Sequence, residues 1–587
     1  MSGKYKKDVG AIVHKEGVSF RVWAPFADSV ALIGSFNNWS EQPMDKEPDG
    51  YWYTLLPDAV VGQEYKFVIH RGEERFVRND PRALHYTTTA GSSVIVDPEF
   101  DWQGDNFTAP PVEQQVIYEL HVGTFYRPDQ AITGTFQDVI AKLNHLAELG
   151  VNMIELLPIC SMVMDRGWGY APDYIFAIES LYGGRYAFLK FVAEAHRRGI
   201  GVIVDVVYNH LGPDSNLDLW CFDGWNTDNY GGIYFYNDWR AETPWGNTRP
   251  DYGRQEVRQY ILDNIKMWAI DCHVDGLRVD STIFIRNVKG HNDDPSTDLP
   301  EGWYMLQEIN NLVDKMKPSL ITIAEDVGDN EYLVKPVQDG GAGFSAQWEL
   351  GFPFSLRSAL NKDSIDLTGV CSELTRRFDG NVFKRVVFAD SHDSAANGSA
   401  RLNEVIAPGK ADGLFARQQS LLAAAIILTA PGIPMLFQGQ EFMQAGAFND
   451  WQALDWQNAE DHHGIVEAYK HLIALRKNSD GNANGLTGHN INLIHVDEEN
   501  KVLAYHRWIN GGPQDDVVVV INFNNHLHKE YVMGLPRNGT WKVRFNSTWR
   551  GYSADFKNID TPDVVVDNGN GTLVIPPNSA LILSQDS

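Results

Sequence analysis

The chain has 587 residues, with 49 Lys plus Arg against 77 Asp plus Glu and a net charge of −28. With 43% apolar and 21% charged residues it is a folded chain and not a disordered one. So acidic a surface excludes a nucleic-acid or anionic-membrane partner, because both are held by clustered Lys and Arg. Four cysteines without a CxxC pair, Cys160, Cys221, Cys272 and Cys371, give neither a disulfide framework nor a zinc motif. They are expected to be buried free thiols. The opening MSGKYKKDVG has no apolar stretch behind its basic residues, and no apolar run reaches membrane-spanning length, so a cytoplasmic, soluble protein is expected.

Residues 1–108 read as a β-sandwich. Phe20 and Val22, Val30 and Leu32, and Tyr65, Phe67 and Ile69 alternate with other residues, and turn-forming stretches such as Pro48-Asp49-Gly50 separate the runs. After Ala109-Pro110-Pro111 the pattern changes to short apolar strands alternating with amphipathic helices, continuing to residue 484. Strands are expected at 116–120, 153–157, 202–206, 276–279, 321–324, 345–348, 386–389 and 435–437. A helix is expected over 136–149, with Phe136, Val139, Ile140, Leu143 and Leu146 on one face, Thr135 as its cap and Gly150 as its stop. A second is expected over 256–270. Eight such strands imply a (β/α)₈ TIM barrel, with an irregular insertion at 211–252 that suits an excursion over an active-site face. Residues 485–587 return to strands, at 517–522, 541–545 and 573–575, and read as a C-terminal antiparallel β domain.

A barrel of this kind places its chemistry at the C-terminal ends of the strands. There the sequence has Asp205 to His210, then Arg278 and Asp280, then Glu325 and Asp326, then His392 and Asp393. Arg278 and Asp280, two residues apart, point the same way, and the arginine favours an ionised carboxylate. Asp205 can serve structure, as a strand-end acid held by an arginine, and Asn209 can be a cap. Carboxylates from different strands converging on one mouth, with no metal-ligand cluster, suit glycoside chemistry: one attacks the anomeric carbon and a protonated second serves the leaving oxygen. These residue types do not say which carboxylate takes which part.

The segments DVVYNH (205–210), GLRVD (276–280), IAEDV (323–327) and SHD (391–393) resemble, in order, the four signature regions of the α-amylase superfamily, glycoside hydrolase family 13. The resemblance implies Asp280 as nucleophile, Glu325 as general acid/base and Asp393 as the third carboxylate. It implies substrate contacts from Tyr170, Asp205, His210, Arg278 and His392. FRVWAP (20–25), GSFNNW (34–39) and IYELHVGTF (117–125) are similar to segments of glycogen branching enzymes and maltooligosyltrehalose trehalohydrolases. Ser391, IAEDV and Leu454-Asp455-Trp456 match the branching pattern. Ser394-Ala395-Ala396-Asn397-Gly398, PGIPMLFQGQEF (431–442) and Glu349–Phe354 depart from it.

The resemblance thus implies a retaining enzyme acting on α-1,4-glucans such as glycogen, amylose or maltooligosaccharides, first a branching transglycosylase forming α-1,6 linkages. The alternatives are a hydrolase of the same family, either a trehalohydrolase or an intracellular amylase, and a non-catalytic glucan-binding protein. A monomer without cofactor is expected. Asn209 matches a calcium-ligand position of amylases, but branching relatives generally do without, so no required metal is expected.

Overall fold

A computed structural model describes residues 8–88, 91–128, 131–162, 167–213, 217–360 and 365–587. Residues 214–216 of the expected insertion, and the basic residues near the N-terminus up to residue 7, lie outside the described residues.

The N-terminal part is a sandwich of two antiparallel sheets. One is built around Gly17–Trp23 and Tyr51–Leu56, the other around Ser29–Gly34 and Glu64–Arg71. Phe20, Val22, Leu32, Tyr65, Phe67 and Ile69, the alternating residues of the sequence, are all buried.

The central part is a closed parallel barrel. Its strands are Ile117–Leu120, Met153–Leu156, Gly201–Val206, Gly276–Val279, Ile321–Glu325, Ala346–Trp348, Arg385–Val387 and Ile433–Phe437. All eight expected strands are present with no end shifted by more than two residues. The helix Phe136–Leu149 has the expected bounds and is closed by a capping box, in which Thr135 Oγ1 accepts from Asp138 N and Asp138 accepts from Thr135 N. The helix expected over 256–270 needs correction: regular α-helix covers Gln255–Lys266, and Met267–Asp271 widens into a π-turn. The widening accompanies full burial of Trp268, whose Nε1 donates to Asn264 Oδ1 at 3.0 Å.

A period of two along the barrel strands divides the lumen into layers. Ile117, Met153, Ile203, Ile323 and Val386 belong to one apolar cluster inside the barrel. Two residues on, in the same direction, stand Glu119, Glu155, Asp205, Glu325 and Phe388. The floor is apolar, and the layer above it carries the charge.

The loop after the second strand holds an unforeseen hairpin of Cys160–Met162 and Pro172–Ile178. Its pairing shifts register twice, which breaks the alternation by which strands are read from sequence. Among its described residues the insertion at 211–252 is irregular apart from one short helical turn at Trp239–Ala241. The C-terminal part is an antiparallel sheet of eight strands around Val502–Trp508, Val517–Asn522 and Ser579–Ser584, longer than the three runs expected. All four cysteines are free; Cys160 and Cys272 are buried, but Cys221 and Cys371 are only half-buried, a correction to the expected full burial.

Candidate active site

The expected site residues come together at the C-terminal mouth of the barrel. Arg278 is the hub. Its Nη1 donates to Asp280 Oδ1 and to Asp205 Oδ2, each at 2.7 Å, and Nη2 lies 4.0 Å from Glu325 Oε2. Tyr170 donates its hydroxyl to the same Asp205 oxygen at 2.6 Å. Asp205, only 2% exposed, therefore stands behind Arg278 and Tyr170 and fixes both. These hydrogen bonds fit the supporting place that its strand-end position allowed. Gly169 makes the turn that presents Tyr170: its φ is +95°, and a Cβ there would lie 2.1 Å from the Pro158 carbonyl oxygen.

Asp280 is held from the other side by Asn209, whose Nδ2 donates to Asp280 Oδ2 at 2.7 Å and to its carbonyl at 2.9 Å. The Asn209 amide oxygen faces His210 Nδ1. Asn209 thus spends both ends of its amide on site residues, which does not suit the cation-ligand role its position suggests in amylases. Among the described residues no group of three or more His, Cys, Asp or Glu is arranged to hold a metal ion.

Directly after Asp280, Ser281 adopts φ +42°, a strained left-handed conformation, and its N–H donates to Glu325 Oε2 at 2.6 Å. This leaves Glu325 Oε1 as the oxygen free to carry a proton. Burial, opposed by Arg278 but reinforced by Asp280 and Asp393, pushes the Glu325 carboxyl up to about 8. It is a protonated acid at neutral pH. Asp326, next in sequence, faces away and binds Arg286 in a bidentate pair at 2.9 and 3.0 Å.

His392 is clamped by Glu119, which accepts from its Nδ1 at 2.5 Å and from its backbone N–H at 3.0 Å. Burial alone would strip its proton, but the carboxylates of Asp393 and Glu119 outweigh it and lift the imidazole to about 9. Its Nε2 lies 3.4 Å from Asp393 Oδ2, and its ring stacks on Tyr170 with centroids 5.2 Å apart. Asp393 is the most open member of the set, its side chain 43% exposed. His210 is the opposite case: burial lowers it to about 4, so it is neutral, and its ring stacks on Trp245 at 4.5 Å.

Four residues that strand-end reasoning overlooked belong to this site. Glu119 fixes His392. Trp348 lies with its ring 4.8 Å from the Arg278 guanidinium and parallel to His392. Glu155 is a fully covered acid that burial, and then Glu119, pushes to about 8. Burial likewise raises Asp205, against the pull of Arg278, to about 7. Trp245 rises from the insertion above His210. The available signal was an acid two residues after an apolar one in each of the short strands IYEL and MIEL. The departures from the branching pattern are in part structural: Glu349 accepts from the buried Arg385 at 2.6 Å, and Ser394 Oγ accepts from Ser391 N at 2.8 Å.

The segments match known domains in the same order. The alpha amylase catalytic domain matches residues 119–220 and 213–471, carbohydrate-binding module 48 (the isoamylase N-terminal domain) matches 8–83, and the alpha amylase C-terminal all-beta domain matches 493–586. The chain is 30% identical over 568 residues to a 1,4-alpha-glucan branching enzyme GlgB of Oceanobacillus iheyensis, covering 91% of this chain and 86% of that one. It is 32% identical over 473 residues to the malto-oligosyltrehalose trehalohydrolase of Saccharolobus solfataricus, covering 75% and 76%. Among solved structures, the catalytic module of the pneumococcal glycogen-degrading virulence factor SpuA shares the fold with a TM-score of 0.78 at 20% identity, over 99% of this chain and 97% of that one. A pullulanase of Paenibacillus barengoltzii follows at 0.76 and 21%, over 99% and 95%. Paired carboxylates around a buried arginine, on a barrel matched across most of its length, make this chain a member of the α-amylase family, glycoside hydrolase family 13.

Proposed function

We propose that the protein is a retaining 1,4-α-glucan branching transglycosylase, with Asp280 as nucleophile, Glu325 as acid/base and Asp393 as the third carboxylate. One observation carries the mechanism: Arg278 and Asn209 each donate a hydrogen bond to the Asp280 carboxyl, while Glu325 is enclosed and protonated beside it. The Asp280 carboxylate attacks the anomeric carbon, the glycosidic bond breaks, and the leaving oxygen takes the Glu325 proton. In the second half Glu325, now a carboxylate, takes the proton of an acceptor hydroxyl, whose oxygen displaces Asp280. Charged His392, neutral His210 and the face of Tyr170 hold the sugar during both steps.

The acceptor is assigned from relatives. The GlgB branching enzyme of Oceanobacillus iheyensis matches over 91% of this chain, and a branching activity supports a glucan hydroxyl as the acceptor. The trehalohydrolase match, at slightly higher identity over a shorter span, supports water as acceptor in a second reading. The division into units at 1–108, 109–484 and 485–587 belongs to this reading, as do a monomeric state, a neutral glucan partner and a cytoplasmic place. No described helix is long and apolar enough to cross a membrane. Incubation with amylose separates the readings: new α-1,6 branches with few new reducing ends support transfer, whereas reducing ends rising without branches refute it. Release of trehalose from maltooligosyltrehalose supports the second reading.

A further inference from the structure

The N-terminal domain grips the insertion after the third barrel strand through contacts that catalysis itself does not use. Arg78, the last residue of strand Glu74–Arg78, donates Nε–H to the Phe222 carbonyl at 3.1 Å. Its Nη2 donates to the carbonyls of Trp220 at 3.2 Å and Cys221 at 3.0 Å. Beside it Asn79 N–H donates to Asp218 Oδ2 at 3.0 Å, and Phe26 N–H donates to Asp223 Oδ2 at 2.9 Å. The Phe26 ring stacks on Trp225, centroids 4.6 Å apart and 14° from parallel. Gly224 completes the fit: its φ is +79°, and a Cβ there would lie 2.4 Å from the Phe76 ring.

Apolar packing would join two domains without specifying the backbone between them. A guanidinium committed to three consecutive carbonyls does specify it, because each carbonyl has a fixed direction. The stretch so held, 217–225, is tied inward to the site. Cys221 N–H donates to the Gly231 carbonyl at 2.8 Å, Tyr236 N–H donates to the Arg249 carbonyl at 3.2 Å, and Thr248 Oγ1 donates to the Leu211 carbonyl at 2.8 Å, next to His210. Between these anchors the insertion carries Trp245, which rests on His210 and Phe284 with 48% of its surface open.

We infer that Arg78 is a positioning residue: by fixing the turn at 217–225, the N-terminal domain sets the insertion, and with it the grip on the glucan chain beyond the bond being cleaved. This rests on the proposed glucan activity but not on which acceptor is used. Asp280, Glu325 and Asp393 stand at or after the ends of barrel strands that the clamp does not touch.

The test compares full-length wild type, Arg78→Met, Arg78→Lys and Phe26→Ala on α-maltosyl fluoride, a short activated donor, and on amylose. Fluoride release by Arg78→Met should stay within about 2-fold of wild type, while kcat/KM on amylose falls about 10-fold, chiefly through KM. Arg78→Lys, which still donates to the carbonyls, should recover part of the loss, and Phe26→Ala should show a smaller loss in the same direction. Equal losses on both substrates, or an unchanged amylose reaction in folded Arg78→Met, would overturn the inference. Should Arg78→Met not fold, an unchanged amylose-to-fluoride ratio in Phe26→Ala overturns it equally. A wild type that cleaves amylose without making branches refutes the branching reading alone, and the substrate split among the variants then still supports the clamp.

Discussion

Glu119 and His392 lie 273 positions apart in the chain and meet at 2.5 Å inside the barrel, the carboxylate accepting from the Nδ1 of the imidazole. The same carboxylate accepts from the His392 backbone N–H, so orientation and charge are set together. Glu119→Gln keeps the shape and removes one of the two charges, beside that of Asp393, that hold His392 protonated. Such charge-assisted hydrogen bonds contribute about 1.5–3 kcal/mol, so kcat/KM on glucan should fall by about 10- to 100-fold. Steady-state kinetics at pH 7 check this; an unchanged kcat/KM would show that the imidazolium is dispensable.

The pH profile follows from Glu325. Its carboxyl, raised by burial to about 8, must be protonated to serve the leaving oxygen. Glucan cleavage should therefore hold across neutral pH and decline as pH rises through about 8. His392, at about 9, loses its charge in the next unit and steepens the decline. Fluoride needs no proton to leave, so the first step with maltosyl fluoride should lack the limb due to Glu325. Parallel alkaline limbs for both substrates would contradict this assignment of the acid.

Glu155 has a cost in stability. Its carboxyl sits at about 8 in the fold because of burial, against about 4.3 when unfolded. The sign follows from proton binding: between those values the folded state binds the proton that the unfolded state has lost, so stability falls as pH rises through the window and stays low above it. Glu155→Gln removes that dependence. The variant should match wild type near pH 4 and be the more stable of the two at pH 8, read from denaturant unfolding. A variant less stable than wild type at pH 8 would show that the Glu155 carboxylate is retained and paired.

The bidentate pair of Arg286 and Asp326 is buried beside the site, on the side of the strand end that faces away from Glu325. Asp326→Ala leaves the guanidinium without its partner and should cost about 3–5 kcal/mol. Denaturant unfolding measures this; a loss below about 1 kcal/mol would mean that solvent reaches the pair.

The strand ends were legible in the sequence because short apolar runs stop at residues too polar to be buried without partners. Asp280, Glu325 and Asp393 each stand at such a stop, and the barrel brings them to one mouth. Glu119 and Glu155 were hidden for the opposite reason: each interrupts a run of only four residues, where a single acid looks like noise. Only the knowledge that both face inward, two residues above Ile117 and Met153, makes them part of the site. The hairpin at Cys160–Met162 was invisible because its register shifts erase the alternation. The π-turn after Lys266 follows from where Trp268 must pack, which no periodicity encodes. Asp205 was legible as an acid at a strand end, but its place behind Arg278 depends on Tyr170 arriving from a loop.

The central claim is a double displacement through Asp280 with Glu325 as its acid/base, and the most direct measurement is a trapped intermediate. Glu325→Gln, mixed with α-maltosyl fluoride, can still lose fluoride but lacks the base that turns over the intermediate. Intact-protein and peptide mass spectrometry should find one maltosyl group per chain, on the peptide containing Asp280, and Asp280→Asn in the same background should abolish it. A glycosyl group on a different residue, such as Asp393, or fluoride release without any adduct, would contradict the account.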